Sequence, residues 1–339
     1  MAVTLSQVAR HADTSVPTVS RVLNGKSDAY AEETVARVRK ALKDLDYRPN
    51  WRARSLARRR SGSIGLVYGR PADYVEGSRM VSALVEQLAD RELDLMLIPA
   101  IGPLSRWSHK LRDGRVDGCL ITYPVPLDVD AFVAEHSVPA VMFNLRSDAD
   151  VAQVIFDDKR GATDAVRHLL DAGHRRITYY RTSKKHGDHY SFADRVAGYT
   201  DALKEAGLTP QSITAKPEDY ARELAATPPA QRPTALVVYN DTDAMKLIDE
   251  LRQFNISVPR DLSLVSFNND ERVRWSTPRL TTVAPDIDTA VDTALGLLLN
   301  AIDDGPSKTS LPSTQPTASR VVLPETLTVR SSTRTCPPA

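Results

Sequence analysis

The chain is poor in cysteine and without a long apolar run, and each shortage excludes something. Two cysteines, Cys119 and Cys336, stand among 339 residues. Neither their number nor their spacing supports a disulfide framework or a zinc site, and Cys119, inside an apolar run, reads as a small buried hydrophobe. His186 and His189 have no third or fourth ligand clustered beside them in sequence, so no metal is expected, and no cofactor. No apolar stretch approaches the ~18 residues of a membrane span, and the N-terminus reads as a folded helix rather than a signal peptide. A cytoplasmic protein with no membrane partner is expected. A glycine-rich phosphate loop, a GxSxG elbow and paired catalytic carboxylates are also missing, which argues against an α/β enzyme.

Net charge is nearly absent, at +1, but the balance hides a split. Residues 1–60 hold 13 Lys/Arg against 6 Asp/Glu, and the remainder holds 31 against 37. A basic head on an acidic body points to nucleic acid at one end only.

The head is the stretch from TLSQVARHADTSVPTVSRVLNG to NWRARSLARRR. Thr4 and Gln7 have capping-box spacing, and Leu5, Val8, Ala9 and Ala12 share one helical face. Asp13-Thr14 makes a tight corner and Ser15 N-caps a second helix, where Pro17 is tolerated in the first turn. Val19, Val22 and Leu23 face the first helix, and Asn24-Gly25 ends the second. This is a helix-turn-helix pattern. Its outer face shows Val16, Pro17, Thr18, Ser20 and Arg21. Val16 or Thr18 can touch a thymine methyl, and Arg21 can reach guanine O6 and N7. The plainer reading is a small three-helix bundle with a solvated arginine. A third helix from about Glu32 to Asp46 buries Val35, Val38, Leu42 and Leu45, and Tyr47 and Pro49 close it. Arg52, Arg54, Arg58, Arg59 and Arg60 then surround Leu56. Such a segment repels itself until phosphates neutralise it, and the leucine suits an apolar wedge in a minor groove; the alternative is a solvated linker.

VTLSQVARHADTSVPTVSRVLNG, the YRPN that follows and ARSLARRRSGSIGLV closely resemble the lactose-repressor (LacI/GalR) family of bacterial transcription regulators. The likeness runs to VVLPETLTVR. The resemblance implies that Val16, Pro17 and Arg21 read bases and that Leu56 wedges into the centre of a palindromic operator. Asp13 departs from the usual glycine, although aspartate tolerates a left-handed turn. The expected DNA-contacting set is Thr4, Ser15, Val16, Pro17, Thr18, Ser20, Arg21, Asn24, Tyr47, Asn50, Arg52, Arg54, Ser55, Leu56 and Arg58.

From Ser63 onward, apolar runs (SIGLVY, LDLMLIP, DGCLITYP, AVMF, VIFD, then RITYY, ALVVY, LSLVSF) alternate with helical patterns, one of them near Phe132. This predicts two parallel α/β sheets covered on both faces. By resemblance they form a periplasmic-binding-protein-like sensor. The expected division is a head at 1–49, a hinge at 50–61 and an effector domain at 62–330. Its N-subdomain takes about 62–157 and 284–304, and its C-subdomain about 158–283 and 320–330. GPSKTSLPSTQPTAS and residues 331–339 are expected to be disordered. Ligands in open α/β folds sit outside the carboxyl ends of strands, so the cleft residues named are Tyr123, Asn144, His189, Tyr190, Arg195, Asn240, Asp241 and Asn268. Arg195 matches the family's effector arginine and Asn240-Asp241 its Asn-Asp motif. Asn268 replaces a common aspartate and Lys246 a usual glycine. For each strand-end Asn or Asp, turn chemistry is the competing reading. The function expected is a homodimeric repressor that binds a palindromic DNA operator and answers a sugar-like small-molecule effector. A transport-type solute-binding protein is the rival that the basic head argues against.

Overall fold

The capping box at Thr4 forms in both directions: Thr4 N–H donates to Gln7 Oε1 at 2.8 Å and Gln7 N–H to Thr4 Oγ1 at 3.3 Å. It starts the first helix in a computed structural model that describes residues 3–23, 25–47, 60–69, 78–122, 138–182, 189–304 and 319–336. The chain divides into two compact units, Met1–Ser61 and Gly62–Ala339.

In the first unit, α1 (Leu5–His11), α2 (Val16–Leu23) and α3 (Glu32–Asp44) meet over Val8, Val19, Val22, Val35, Val38 and Ala41. The corner between α1 and α2 turns on Asp13, whose φ of +47° is the left-handed conformation an aspartate tolerates. Arg37 of α3 reinforces it, with Nε donating to the Ala12 carbonyl at 3.3 Å. Glu32 and Glu33 sit in the first turn of α3 and Lys43 in its last, each sign where the helix dipole favours it. Residues 48–59, which take in most of the hinge expected at 50–61, lie outside the described residues.

In the second unit the strands are β1 (Ser63–Tyr68), β2 (Asp94–Pro99), β3 (Gly118–Thr122), β4 (Ala140–Phe143), β5 (Ala152–Phe156), β6 (Ile177–Arg181), β7 (Gln211–Thr214), β8 (Ala235–Val238), β9 (Ser263–Phe267), β10 (Thr281–Pro285), β11 (Arg320–Leu323) and β12 (Glu325–Thr328). They make two six-stranded sheets, β11-β5-β4-β3-β1-β2 and β12-β10-β9-β8-β6-β7. The pairings are parallel except β10 with β12. Strands β3, β6, β8 and β9 are buried along their whole length, as expected for apolar runs covered on both faces. The Ser78–Ala89 and Ile287–Asp304 helices cover the first sheet around Leu84, Leu88, Leu295 and Leu298. The Asp158–Asp171 and Tyr190–Glu205 helices cover the second around Val166, Leu169, Tyr179 and Tyr199. They cross closely at Gly198, where a Cβ would run into the Lys159 carbonyl.

The chain passes between the sheets three times: at Asp157, between Pro285 and Ile287, and at Pro324. This corrects the subdomain boundaries. Residues 320–323 pair with β5 in the first sheet and are not part of the C-subdomain, and β10 keeps the second sheet running to Pro285. The C-terminal expectation is corrected too, because residues 331–336 are packed. Ser332 is fully buried, its Oγ donating to the Leu264 carbonyl at 2.6 Å and accepting from Thr281 N–H at 2.7 Å. Cys336 N–H reaches the Ala172 carbonyl. The stretch expected as a Pro/Ser/Thr loop and the helix near Phe132 fall on residues outside those described. Among the described residues no helix is long and apolar enough to cross a membrane.

Candidate functional site

On the head, Ser15 Oγ accepts from Thr18 N–H at 3.3 Å, which fixes the first turn of α2. Val16 is 38% exposed, Pro17 and Arg21 are exposed and Ser20 is half-buried. Thr18 departs from expectation. It is buried beneath α2 with its hydroxyl against Ser15 Oγ at 2.8 Å, so it packs and caps instead of facing outward. Arg21 extends from the last turn of α2, where its Nη1 donates to the Tyr30 hydroxyl at 3.2 Å. Tyr30 itself packs on the head's core, a support that the sequence reading missed. Tyr47 is half-buried and its N–H closes onto the Leu42 carbonyl. Asn24, Asn50, Arg52, Arg54, Ser55, Leu56 and Arg58 lie outside the described residues.

In the second unit the strand ends converge on Arg195, which the Tyr190–Glu205 helix aims inward. Its guanidinium is nearly sealed from solvent: Nε donates to Asp158 Oδ1 at 2.6 Å, Nη1 to the Tyr239 carbonyl at 2.6 Å and Nη2 to Asn268 Oδ1 at 3.2 Å. It also lies 4.2 Å from the Phe267 ring centroid. Burial disfavours its charge, but Asp158 and Glu325 outweigh that and hold it protonated more firmly than usual. Asp158 is pushed up by the same burial against the pull of Arg195.

Two side chains tie the Tyr190–Glu205 helix across to the first sheet. His189 N-caps the helix: its Nδ1 accepts from Ser191 N–H, while Nε2 lies 2.7 Å from the Asn144 carbonyl just past β4. A carbonyl only accepts, so the proton is on Nε2. Burial pushes the His189 pKa down to about 4, leaving it neutral. The Tyr190 hydroxyl donates to Asn144 Oδ1 at 2.8 Å and accepts from Phe156 N–H at 3.1 Å. Arg146 adds a third tie, 2.6 Å from Asp194 and stacked 4.5 Å over the Tyr190 ring. Asn144 takes a left-handed φ of +51° to present both its oxygens to this lock.

The head and the sensor both have relatives. Residues 4–50 match the family described as bacterial regulatory proteins, lacI family, and residues 166–333 match a periplasmic binding protein-like domain. The chain is 33% identical over 322 residues to the HTH-type transcriptional regulator GalR of Escherichia coli strain K12, covering 89% of this chain and 90% of that one. The chain belongs to the lacI family of bacterial regulatory proteins. It is 30% identical over 312 residues to the HTH-type transcriptional repressor PurR of Escherichia coli O1:K1, covering 88% and 90% of the two chains. A lac repressor dimer bound to operator and the anti-inducer ONPF superposes with a TM-score of 0.80 at 25% identity, covering 98% of this chain and 100% of that one. A complex of the regulator CelR with cellobiose gives 0.66 at 25% identity, covering 97% and 99%.

As a lacI-family member the chain is a DNA-binding transcription regulator and not an enzyme. Its sensor brings together Asn144, His189, Tyr190, Arg195 and Asn268, five of the residues that the sequence singled out. Tyr123 lies outside the described residues. Asn240 works as an N-cap, its Oδ1 accepting from Asp243 N–H at 2.7 Å, with its amide nitrogen left over. Asp241 is a correction. It is fully buried, accepts from Ser266 Oγ at 2.5 Å, Thr282 Oγ1 at 3.1 Å and Asp270 N–H at 2.7 Å, and so staples β9 and β10 to its helix. Asn240 therefore caps its helix through its oxygen, and Asp241 is taken up by the strands beside it. The sequence reading missed Asp158, Tyr239, Arg146 and Glu325. The aspartate pair after VIF was a usable signal for Asp158, and Tyr239 and Arg146 stand beside the singled-out Asn240 and Asn144, whereas Glu325 is brought in from far along the chain.

Proposed function

We propose that this chain is a homodimeric repressor that binds a palindromic operator through two heads and two hinges, and that it answers a small polyhydroxylated effector bound around Arg195. The observation that carries the reading is the lock across the sheets. Asn144 on one side and His189 and Tyr190 on the other are joined by hydrogen bonds of 2.7 and 2.8 Å, and Arg195 lies on the same helix as the lock. A ligand whose hydroxyls compete for these partners changes how the two halves meet. That change, passed to the hinge, is a coupling free energy between the ligand site and the DNA site. Two-fold symmetric heads suit a palindrome. The cellobiose complex of the CelR neighbour favours a sugar-like ligand.

The test begins with an operator selected from random duplex DNA and a melting-temperature screen of sugars, since a ligand that binds the native state raises its stability. Operator affinity is then measured with and without the stabilising sugar. Arg195→Ala is expected to retain operator binding and to lose the response to the sugar. The substitution also leaves Asp158 buried without its cation, a loss of about 3–5 kcal/mol, so the variant's unfolding is measured alongside. A folded Arg195→Ala protein with an undiminished response would remove Arg195 from the ligand site.

A further inference from the structure

The second sheet carries a cavity at the end away from Arg195. Strands β6, β8 and β9 run parallel, so Tyr239 and Asn268, which follow strands, stand at one end of the sheet. Arg176, Thr234 and Leu262, which precede strands, stand at the other. There the loop 173–176, Thr234, residues 259–262 and the C-terminal segment enclose about 410 Å³, inside the roughly 300–1,000 Å³ of small-molecule sites. The wall is held by named bonds. His174, 2% exposed, lies 3.0 Å from Thr234 Oγ1 through Nδ1, and its Nε2 donates to the Arg334 carbonyl at 3.0 Å. Arg334 N–H donates to Ser263 Oγ at 3.1 Å. The backbone is thus fixed where the Arg334 side chain leaves it.

The charge around this cavity is lopsided. Arg175, Arg176 and Arg334 line it against one carboxylate, Asp261. That carboxylate is already answered by Arg260 at 3.0 Å and by the Ser257 N–H at 2.7 Å. The three arginines spend little on the protein itself. Arg175 gives Nη1 to the Leu170 and His174 carbonyls, and Arg176 gives Nε to the Arg232 carbonyl. The Arg334 guanidinium meets no acceptor among the described residues. A lone surface arginine is merely solvated, but here two segments distant in sequence aim three at one concavity. We propose that this cavity binds a small phosphate ester, as a second ligand site separate from the effector cleft. Guanidinium forks match phosphate oxygens two at a time. A phosphomonoester brings about −1.5 to −2 of charge at neutral pH, against −1 for a carboxylate and none for a neutral sugar. Pro259, Leu262 and Cys336 offer apolar wall to its carbon skeleton. An ester bound there joins the loop after the Asp158–Asp171 helix to the C-terminal segment, and so holds that segment on the second sheet.

The test is a calorimetric titration of the full-length chain with ribose 5-phosphate, inorganic phosphate and succinate, at one ionic strength because salt screens exposed charges. Ribose 5-phosphate is expected to saturate one site, tighter than inorganic phosphate and about tenfold or more tighter than succinate. An excess of ribose should not displace it. Arg334→Gln keeps the stem of the side chain and removes a charge that has no partner to lose, and is expected to weaken ribose 5-phosphate by about tenfold or more. Arg222→Gln, at an exposed arginine paired with Asp219, should leave the affinity unchanged. If Arg334→Gln binds as tightly as the wild-type chain, or if ribose displaces the ester, the phosphate sits on the basic head or in the cleft and the proposal is overturned. No saturable binding to the wild-type chain overturns it equally, and succinate binding as tightly as the ester overturns the assignment to phosphate. Should Arg334→Gln not fold, Arg176→Gln is read in its place, with the same outcomes.

Discussion

Arg21 and Asp241 show how the same residue types, polar and flanking a turn or helix, divide between reading a partner and holding the fold. Arg21 is exposed at the end of α2 and, among the described residues, its guanidinium hydrogen-bonds to the Tyr30 hydroxyl at 3.2 Å, leaving most of its five donors for a base edge. Arg21→Ala is expected to cost about 1–3 kcal/mol on the selected operator and to relax preference at one base pair. Equal losses on operator and random duplex would mean that the guanidinium meets phosphate alone. Asp241 is the opposite case, with every bond turned inward. Asp241→Asn weakens three acceptor contacts and is expected to lower stability by about 1–3 kcal/mol while leaving affinity for a stabilising sugar unchanged. A denaturant titration and a ligand titration on the same variant check both halves of that expectation.

At the scale of elements, the N-terminus of the Tyr190–Glu205 helix is both cap and lock, and it is sensitive to acid. His189 has a folded pKa of about 4 against an ordinary 6.5. The unfolded chain therefore binds the proton first, so the stability that neutral His189 contributes is present above pH 6.5 and is lost as pH falls from 6.5 towards 4. That is at most about 3 kcal/mol, reduced by the ring's partial contact with solvent. Asp241, raised to about 6 by burial, works the other way, since the folded state gains the proton first and stability rises as pH falls through that value. His189→Asn is expected to flatten the acid side of the melting-temperature profile, and an unaltered profile would place the acid sensitivity elsewhere. Elements were legible in the sequence where burial dictated composition. SIGLVY, GCLIT and LSLVSF could be read because strands covered on both faces must be apolar throughout. The edge strand β7 (QSIT), largely exposed, carries no such pattern, and the Pro217–Ala226 helix behind it went unread with it. For the site, Arg195 and the Asn144, His189 and Tyr190 group stood out as polar residues at strand and helix ends. Glu325 did not, because its place beside Arg195 depends on a crossover that no local pattern announces.

Across the whole molecule the positive charge is gathered at the end that reads DNA. Non-specific binding should follow the number of arginine–phosphate contacts and fall steeply with salt. Leu56, which lies outside the described residues, is expected to act on a different quantity. Leu56→Ala should weaken operator binding by a few kcal/mol with the salt slope and random-DNA affinity nearly unchanged, the behaviour of a minor-groove wedge. Arg58→Ala should lower the slope and weaken all sequences alike. Binding measured over a salt series on both DNAs separates the two.

The threefold passage of the chain between its sheets has a consequence for synthesis. The head's core is complete once Tyr47 has emerged, but the first sheet waits for residues 320–323 and the second for β12 and the Ser332 that packs on it. At ~5–20 residues per second the interval is roughly 15–60 s. During that time a nascent chain carries a finished DNA-reading head ahead of a sensor that has not closed. Chains stalled on the ribosome before residue 320 should therefore hold DNA, yet give no protease-resistant body with or without sugar, so the regulator passes through an unregulated youth each time it is made.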